Sequence, residues 1–146
     1  MARLKIDIPT QHLLTTIHLP IRISDINYGN HVGNSAFVAL IHEARVQWLQ
    51  QHQLSELDCG GVGMIMSNLS VVFKNEAFYG DTLAIGIFIA ETTTISFELV
   101  YQITTTRNEK TIIIAQATTT MVCYNYGLKK VATIPDSLKE AINKIV

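Results

Sequence analysis

Residues 24–34 hold the densest run of groups able to bind a ligand or move a proton: Ser24-Asp25-Ile26-Asn27-Tyr28-Gly29-Asn30-His31-Val32-Gly33-Asn34. His31 can donate a hydrogen bond or help to orient water. Asn27 and Asn34 can donate and accept hydrogen bonds but cannot act as bases. Gly29 and Gly33 allow backbone to approach a ligand closely. These groups suit the polarisation of a carbonyl and the orientation of a water molecule. A second carboxylate, Glu76, follows an apolar run, and a glutamate partly withdrawn from water there would be a better proton acceptor. The same residue types also build turns and helix caps, so Asp25, Asn27 and Asn34 have a structural reading as well. Glu76 beside Lys74 likewise has a reading as a solvated surface residue.

The surrounding elements explain how such a loop would be held. Leu13 to Ile23 reads as a strand, with Pro20 marking an edge or an irregularity. After the polar loop, Phe37, Leu40, Ile41, Ala44 and Trp48 recur at helical steps and define one apolar stripe. Asn34 or Ser35 is the expected N-cap, and the helix is expected to end near Gln53. The first turn of that helix would present unpaired N–H groups and a positive dipole end to whatever the loop binds. Ser55 to Gly63 reads as a glycine-rich loop. Four strands are then expected, Met64 to Asn75, Asp81 to Thr92, Ile95 to Thr106 and Thr111 to Tyr126, forming an antiparallel meander. Phe97, Leu99, Tyr101 and Ile103 alternate onto one face, and threonine runs at 92–94, 104–106 and 118–120 favour strand. Arg107-Asn108-Glu109-Lys110 reads as a hairpin turn, and Asp136 to Ile145 as a short closing helix. The fold class is α+β, a curved antiparallel sheet around one long helix in a single domain over residues 1–146.

Composition narrows the function classes. The chain has 146 residues, a net charge of −1 and 16% charged residues. Its eleven Lys and Arg are dispersed, with no basic block of the kind nucleic acid requires. The low charged fraction is compatible with surface buried between subunits. Cys59 and Cys123 form no C-x-x-C pattern and read as small, semi-buried apolar residues in a reducing compartment. The histidines His12, His18, His31, His42 and His52 show no metal spacing. No G-x-S-x-G and no phosphate-binding loop is present. The start of the chain, with Arg3, Lys5 and Asp7, lacks the apolar core of a signal peptide, and no run is long enough to span a membrane. A cytoplasmic protein without metal or bound redox cofactor is expected.

Two spaced segments carry a resemblance. Asp25-Ile26-Asn27, then His31-Val32-Gly33-Asn34, then a helix with His42-Glu43-Ala44-Arg45 and Trp48, is similar to the D-x-D, H-V-x-N and E-x-A-R pattern of the hotdog thioesterases. Phe73-Lys74-Asn75-Glu76-Ala77 followed by Gly80-Asp81-Thr82-Leu83 resembles the second segment of that family. The resemblance spans about residues 15 to 125. It includes the 4-hydroxybenzoyl-CoA type, the Tol-Pal-associated acyl-CoA thioesterases and the plant acyl-carrier-protein thioesterases.

The resemblance implies a five- or six-stranded hotdog sheet, a homodimer or a tetramer with sites at the dimer interface, and hydrolysis of an acyl-CoA or acyl-carrier-protein thioester. Coenzyme A or phosphopantetheine would arrive with the substrate. In many members the position of Asn27 is a catalytic Asp. Here an amide stands in its place and can only orient water or the thioester. Glu76 matches the position of a water-activating glutamate in several relatives, and His31 matches the histidine near the thioester. The amide N–H near Asn34 matches the oxyanion donor. Where plant relatives carry an Asn, two residues before the histidine, this chain has Gly29. Asp25, Tyr28, Gly33 and Glu43 are the further expected substrate contacts or supports. For Glu43 the alternative is pairing with Arg45 or lysines on a solvated face. A non-hydrolytic acyl-CoA binder is the rival reading that Asn27 keeps open, and a hotdog dehydratase is a further one.

Overall fold

Six side chains of helix α1 (Asn34–Gln51) turn to one side and are buried: Phe37, Leu40, Ile41, Ala44, Trp48 and Leu49. They meet the inner face of a six-stranded antiparallel sheet. The computed structural model describes residues 4–146, so Arg3 at the charged start of the chain lies outside the described residues. The strands are β1 (Leu13–Pro20), β2 (Gly63–Phe73), β3 (Thr82–Thr92), β4 (Ser96–Arg107), β5 (Lys110–Asn125) and the short β6 (Lys130–Val131). A single 3₁₀ turn, Ile23–Asp25, precedes α1, and a short helix α2 (Asp136–Ile142) follows the sheet.

Alternation fixes which strand residues face the helix. Leu83, Ile85 and Ile87 of β3, Phe97, Leu99, Tyr101 and Ile103 of β4, and Ala115, Ala117, Met121 and Cys123 of β5 are all buried. A fully buried Leu, Ile or Phe contributes roughly 1.5–3 kcal/mol. The helix–sheet core therefore dominates stability and leaves the connecting loops free to carry polar groups. Cys59 and Cys123 are completely buried rather than semi-buried, and Cys59 Sγ donates to the Val62 carbonyl at 3.1 Å.

The strand order β1-β3-β4-β5-β2 corrects the expected meander of four late strands. Only β3, β4 and β5 form one. β2 lies against β5, and β1 takes the place beside β3. The reason is the connection between β2 and β3. It is not a tight hairpin but a longer crossing, pinned by Lys74 N–H and Asn75 N–H to the Ile114 carbonyl at 2.8 and 3.1 Å. The β4–β5 turn is the tight one: Asn108 and Glu109 both have positive φ, 50° and 65°.

Other boundaries differ for local reasons. β1 ends at Pro20, short of the expected Ile23, because the chain turns into the 3₁₀ segment. α1 is capped by Gly33, not by Asn34 or Ser35, and no side chain caps it. α2 stops at Ile142 rather than Ile145.

β2 is an open sheet edge. From Gly63 to Phe73 it carries no charged residue and no proline, and Ile65, Met66 and Phe73 are exposed. Edges left unguarded in this way invite pairing with another strand. Among the described residues no helix is long and apolar enough to cross a membrane.

Candidate active site

The loop between β1 and α1 is built around two carboxylate and amide turns. Asp25 is buried and accepts the Arg22 backbone N–H at 2.8 Å and its guanidinium Nη2 at 3.3 Å. Its carbonyl accepts the Gly33 N–H at 3.2 Å, so Asp25 holds both ends of the loop. Within it, Asn27 Oδ1 accepts the Gly29 N–H at 2.9 Å, and the Asn27 N–H donates to the His31 carbonyl at 3.0 Å. The oxygen of the Asn27 amide is thus committed to the turn. Its Nδ2 faces Gly33, where a Cβ would stand 3.8 Å away.

His31 and Asn27 close over the same glycine. A Cβ on Gly29 would lie 3.1 Å from His31 Nε2 and 3.2 Å from Asn27 Oδ1, so a side chain here would push both aside. The His31 Nδ1 lies 3.2 Å from the Val32 carbonyl. A neutral ring therefore carries its proton on Nδ1 and presents Nε2 as an acceptor. Donation to a thioester carbonyl, expected from sequence, requires the protonated ring.

The second segment is tied to the first by one backbone bond, Val32 N–H to the Ala77 carbonyl at 2.8 Å. Asn75 Nδ2 donates to the Ile113 carbonyl at 2.7 Å, and Arg107 Nη2 to the Glu76 carbonyl at 2.8 Å. The Arg107 guanidinium also grips Asp81, which holds that carboxyl below its usual range. The backbone of Glu76 is fixed from both sides, while its side chain is exposed. Among the described residues, the withdrawal from water expected for this carboxylate is not supplied, since Glu76 is exposed beside the open β2 edge.

His31, Asn34 and Glu76 line one cleft of about 210 Å³ with Phe37, Phe73 and Lys74. Asp25, Asn27 and Gly33 line a neighbouring one with Ser35, Ala36 and Ala39. The first turn of α1 separates the two. Among the described residues nothing bonds the N–H groups of Asn34 and Ser35, which leaves the positive end of the helix open between the clefts. Tyr28, an expected substrate contact, is fully exposed and lines neither cleft. Glu43 sits on the exposed face of α1 and accepts from Gln47 Nε2 at 2.9 Å, rather than pairing with Arg45.

Arg45 belongs to a network that the sequence reading did not find. It is buried, and its Nε donates to Glu56 Oε2 at 2.8 Å and its Nη1 to the Tyr101 hydroxyl at 3.2 Å. His42 Nε2 lies 2.5 Å from Glu56 Oε1, and the Tyr101 and Thr119 hydroxyls are 2.7 Å apart. Burial pushes the Glu56 carboxyl up, but the bonds from Arg45 and His42 outweigh it and bring it below its ordinary value. Burial pushes the Tyr101 phenol up, with the facing Arg45 charge only partly opposing it. The spacing of Ser35, His42 and Arg45 on one side of α1 was readable in sequence. Glu56 in a loop, and Tyr101 and Thr119 on two strands, were not. Among the described residues no three His, Cys, Asp or Glu side chains are placed to hold a metal ion.

A curved antiparallel sheet around one long helix, with a polar loop at the helix start, is the hotdog fold, and solved structures of that fold superpose on this one. A 1,4-dihydroxy-2-naphthoyl-CoA thioesterase from Synechocystis matches with 25% identity and a TM-score of 0.78, over 87% of this chain and 93% of the other. A mutant 4-hydroxybenzoyl-CoA thioesterase in complex with 4-hydroxybenzoyl-CoA matches with 18% identity and a TM-score of 0.78, over 88% and 97%. A DHNA-CoA thioesterase from Staphylococcus aureus matches with 16% identity and a TM-score of 0.77, over 89% of each chain. No curated protein sequence matches the chain. The family model of the thioesterase-like superfamily matches residues 21–142, and the chain belongs to that superfamily.

Proposed function

We propose that the protein hydrolyses the thioester of an acyl-coenzyme A, with an acylated carrier protein as the alternative substrate. The observation that carries this is the convergence of His31, Asn34 and Glu76 on one cleft at the open end of α1. The helix N–H groups at Asn34 and Ser35 meet the carbonyl oxygen as it gains negative charge. Glu76 takes a proton from water, whose oxygen adds to the carbonyl carbon. The carbon–sulfur bond then breaks, and the leaving thiolate takes up the proton. His31 Nε2 orients that water, and Asn27 holds the loop that presents it. Coenzyme A or phosphopantetheine enters with the substrate, and the chain holds no cofactor of its own.

The uncharged edge of β2 supports a homodimer in which two such edges pair, with a tetramer as a further assembly. The cleft of Glu76 includes Phe73 at the end of that strand, so a partner seated there would also shield the carboxylate from water.

A thiol-release assay tests the reading, with aliphatic and aromatic acyl-CoAs and acylated carrier protein, on wild type and Glu76→Gln together. Release that is lost in the variant supports Glu76 as the base. No release from any substrate favours the second reading, a non-hydrolytic acyl binder. That reading is supported by the amide of Asn27, whose oxygen is already bound by the Gly29 N–H.

A further inference from the structure

The cleft beside Asn27 does not end at the helix start. It shares Ser35 and Ala39 with a second cavity of about 370 Å³ that continues along α1 next to β2. From Ser35 to His42 the helix advances about 10 Å, roughly the length of an extended eight-carbon chain. Val38, Ile41, Met66 and Leu69 make the walls of this groove apolar. Its far end is polar, where His42, Arg45 and Thr119 meet it.

Arg45 decides what that end can accept. Its side chain is only 6% exposed. Nε and Nη1 are bonded to Glu56 and Tyr101, while Nη2 has no partner among the described residues and is not sealed in the core. Arg45 lines the groove, and this N–H group is the part of its guanidinium left for a ligand there. Glu56 already balances the charge of Arg45, so a ligand carboxylate would add an unmatched charge there. His42 bonds Glu56 through Nε2, which in the neutral ring leaves Nδ1 as an acceptor. A donor and an acceptor from residues three positions apart on α1, both lining the groove, match a hydroxyl, which can do both. A methyl end would strip water from Arg45 Nη2 and give nothing back.

We propose that this groove receives the acyl group and that Arg45 and His42 read a hydroxyl at its far end. The preferred substrates are then acyl thioesters hydroxylated about 10 Å from the thioester carbonyl. The proposal rests on the thioesterase reading for its substrate class, and its test separates the two.

Octanoyl-CoA and ω-hydroxyoctanoyl-CoA are compared by kcat/KM, and their uncleavable thioethers, octyl-CoA and ω-hydroxyoctyl-CoA, by calorimetric affinity. Wild type, His42→Leu and Thr119→Val are used, because Arg45 itself is too deeply buried to replace cleanly. The expected result is a preference of about tenfold for the hydroxylated member in both readouts, shrinking to within about twofold in His42→Leu. Equal treatment of the two chains by wild type overturns the subsite, as does a preference that survives both substitutions. Cleavage with equal treatment leaves the thioesterase reading standing without it. Preference among the thioethers without any cleavage keeps the subsite and removes the thioesterase reading.

Discussion

The Val32 amide donates to the Ala77 carbonyl at 2.8 Å, and the residues on either side of that bond, His31 and Glu76, line the same cleft. Two segments more than forty positions apart are thereby held as one unit. Replacing Glu76 by Gln keeps its backbone bond from Arg107 and removes only the carboxylate proposed as the base. The expected outcome is a fall in kcat of about a hundredfold or more with little change in KM, read by thiol release.

Asn27 separates a structural role from a chemical one. Asn27→Ala loses the acceptor for the Gly29 N–H, and the loop under His31 loosens. Asn27→Asp keeps that acceptor and adds a carboxylate. Activity is expected to drop about tenfold or more in the alanine variant and to be kept or raised in the aspartate variant. Retained activity in the alanine variant would remove Asn27 from the mechanism.

How much of this was legible depended on sequence distance. The apolar stripe of α1 and the alternation of Phe97, Leu99, Tyr101 and Ile103 are local patterns, and both appear as expected. The place of β2 was not legible, because pairing with β5 rather than β3 is decided by the crossing at Lys74 and Asn75, not by the strand itself. The loop motif marked the right region, yet it could not show that Asn27 lines a different cleft from His31 and Glu76. The direction of Tyr28 was not legible for a simple reason: an aromatic residue in a loop carries no sign of which way it points.

Acid should weaken the fold in a defined window. The carboxyls of Asp81 and Glu56 are both held below their ordinary values, mainly by Arg107 for Asp81 and, against burial, by Arg45 and His42 for Glu56. A lowered folded-state value gives stability that is complete above the unfolded value and lost as pH falls through the folded one. Denaturation midpoints are therefore expected to hold down to about pH 5 and then fall, as ordinary carboxylates titrate near pH 4. Asp81→Asn should flatten part of that fall, followed through the fluorescence of the buried Trp48.

Removing Arg45 is expected to be costly. Arg45→Ala takes one donor from the Glu56 carboxylate, which keeps only His42, and one from the buried Tyr101 hydroxyl, which keeps only Thr119. A loss of about 3–5 kcal/mol is expected in urea unfolding, whereas the exposed Glu43→Gln should change stability by less than about 0.5 kcal/mol.

The β4–β5 turn offers a gain. Glu109 sits at φ 65°, where a side chain is strained and glycine is not. Glu109→Gly is expected to raise stability by roughly 0.5–1 kcal/mol, measured as a higher thermal midpoint.

The order of the strands also sets when the cleft can come into being. β2 leaves the ribosome well before β5, the strand it must lie against, so it waits unpaired while β3 and β4 are made. Long-range pairings of this kind form slowly. The crossing that carries Glu76 is anchored to Ile114 of β5, and its place beside His31 is fixed only when that late strand docks. Catalytic competence should then appear in refolding with the slowest phase rather than with the burial of Trp48.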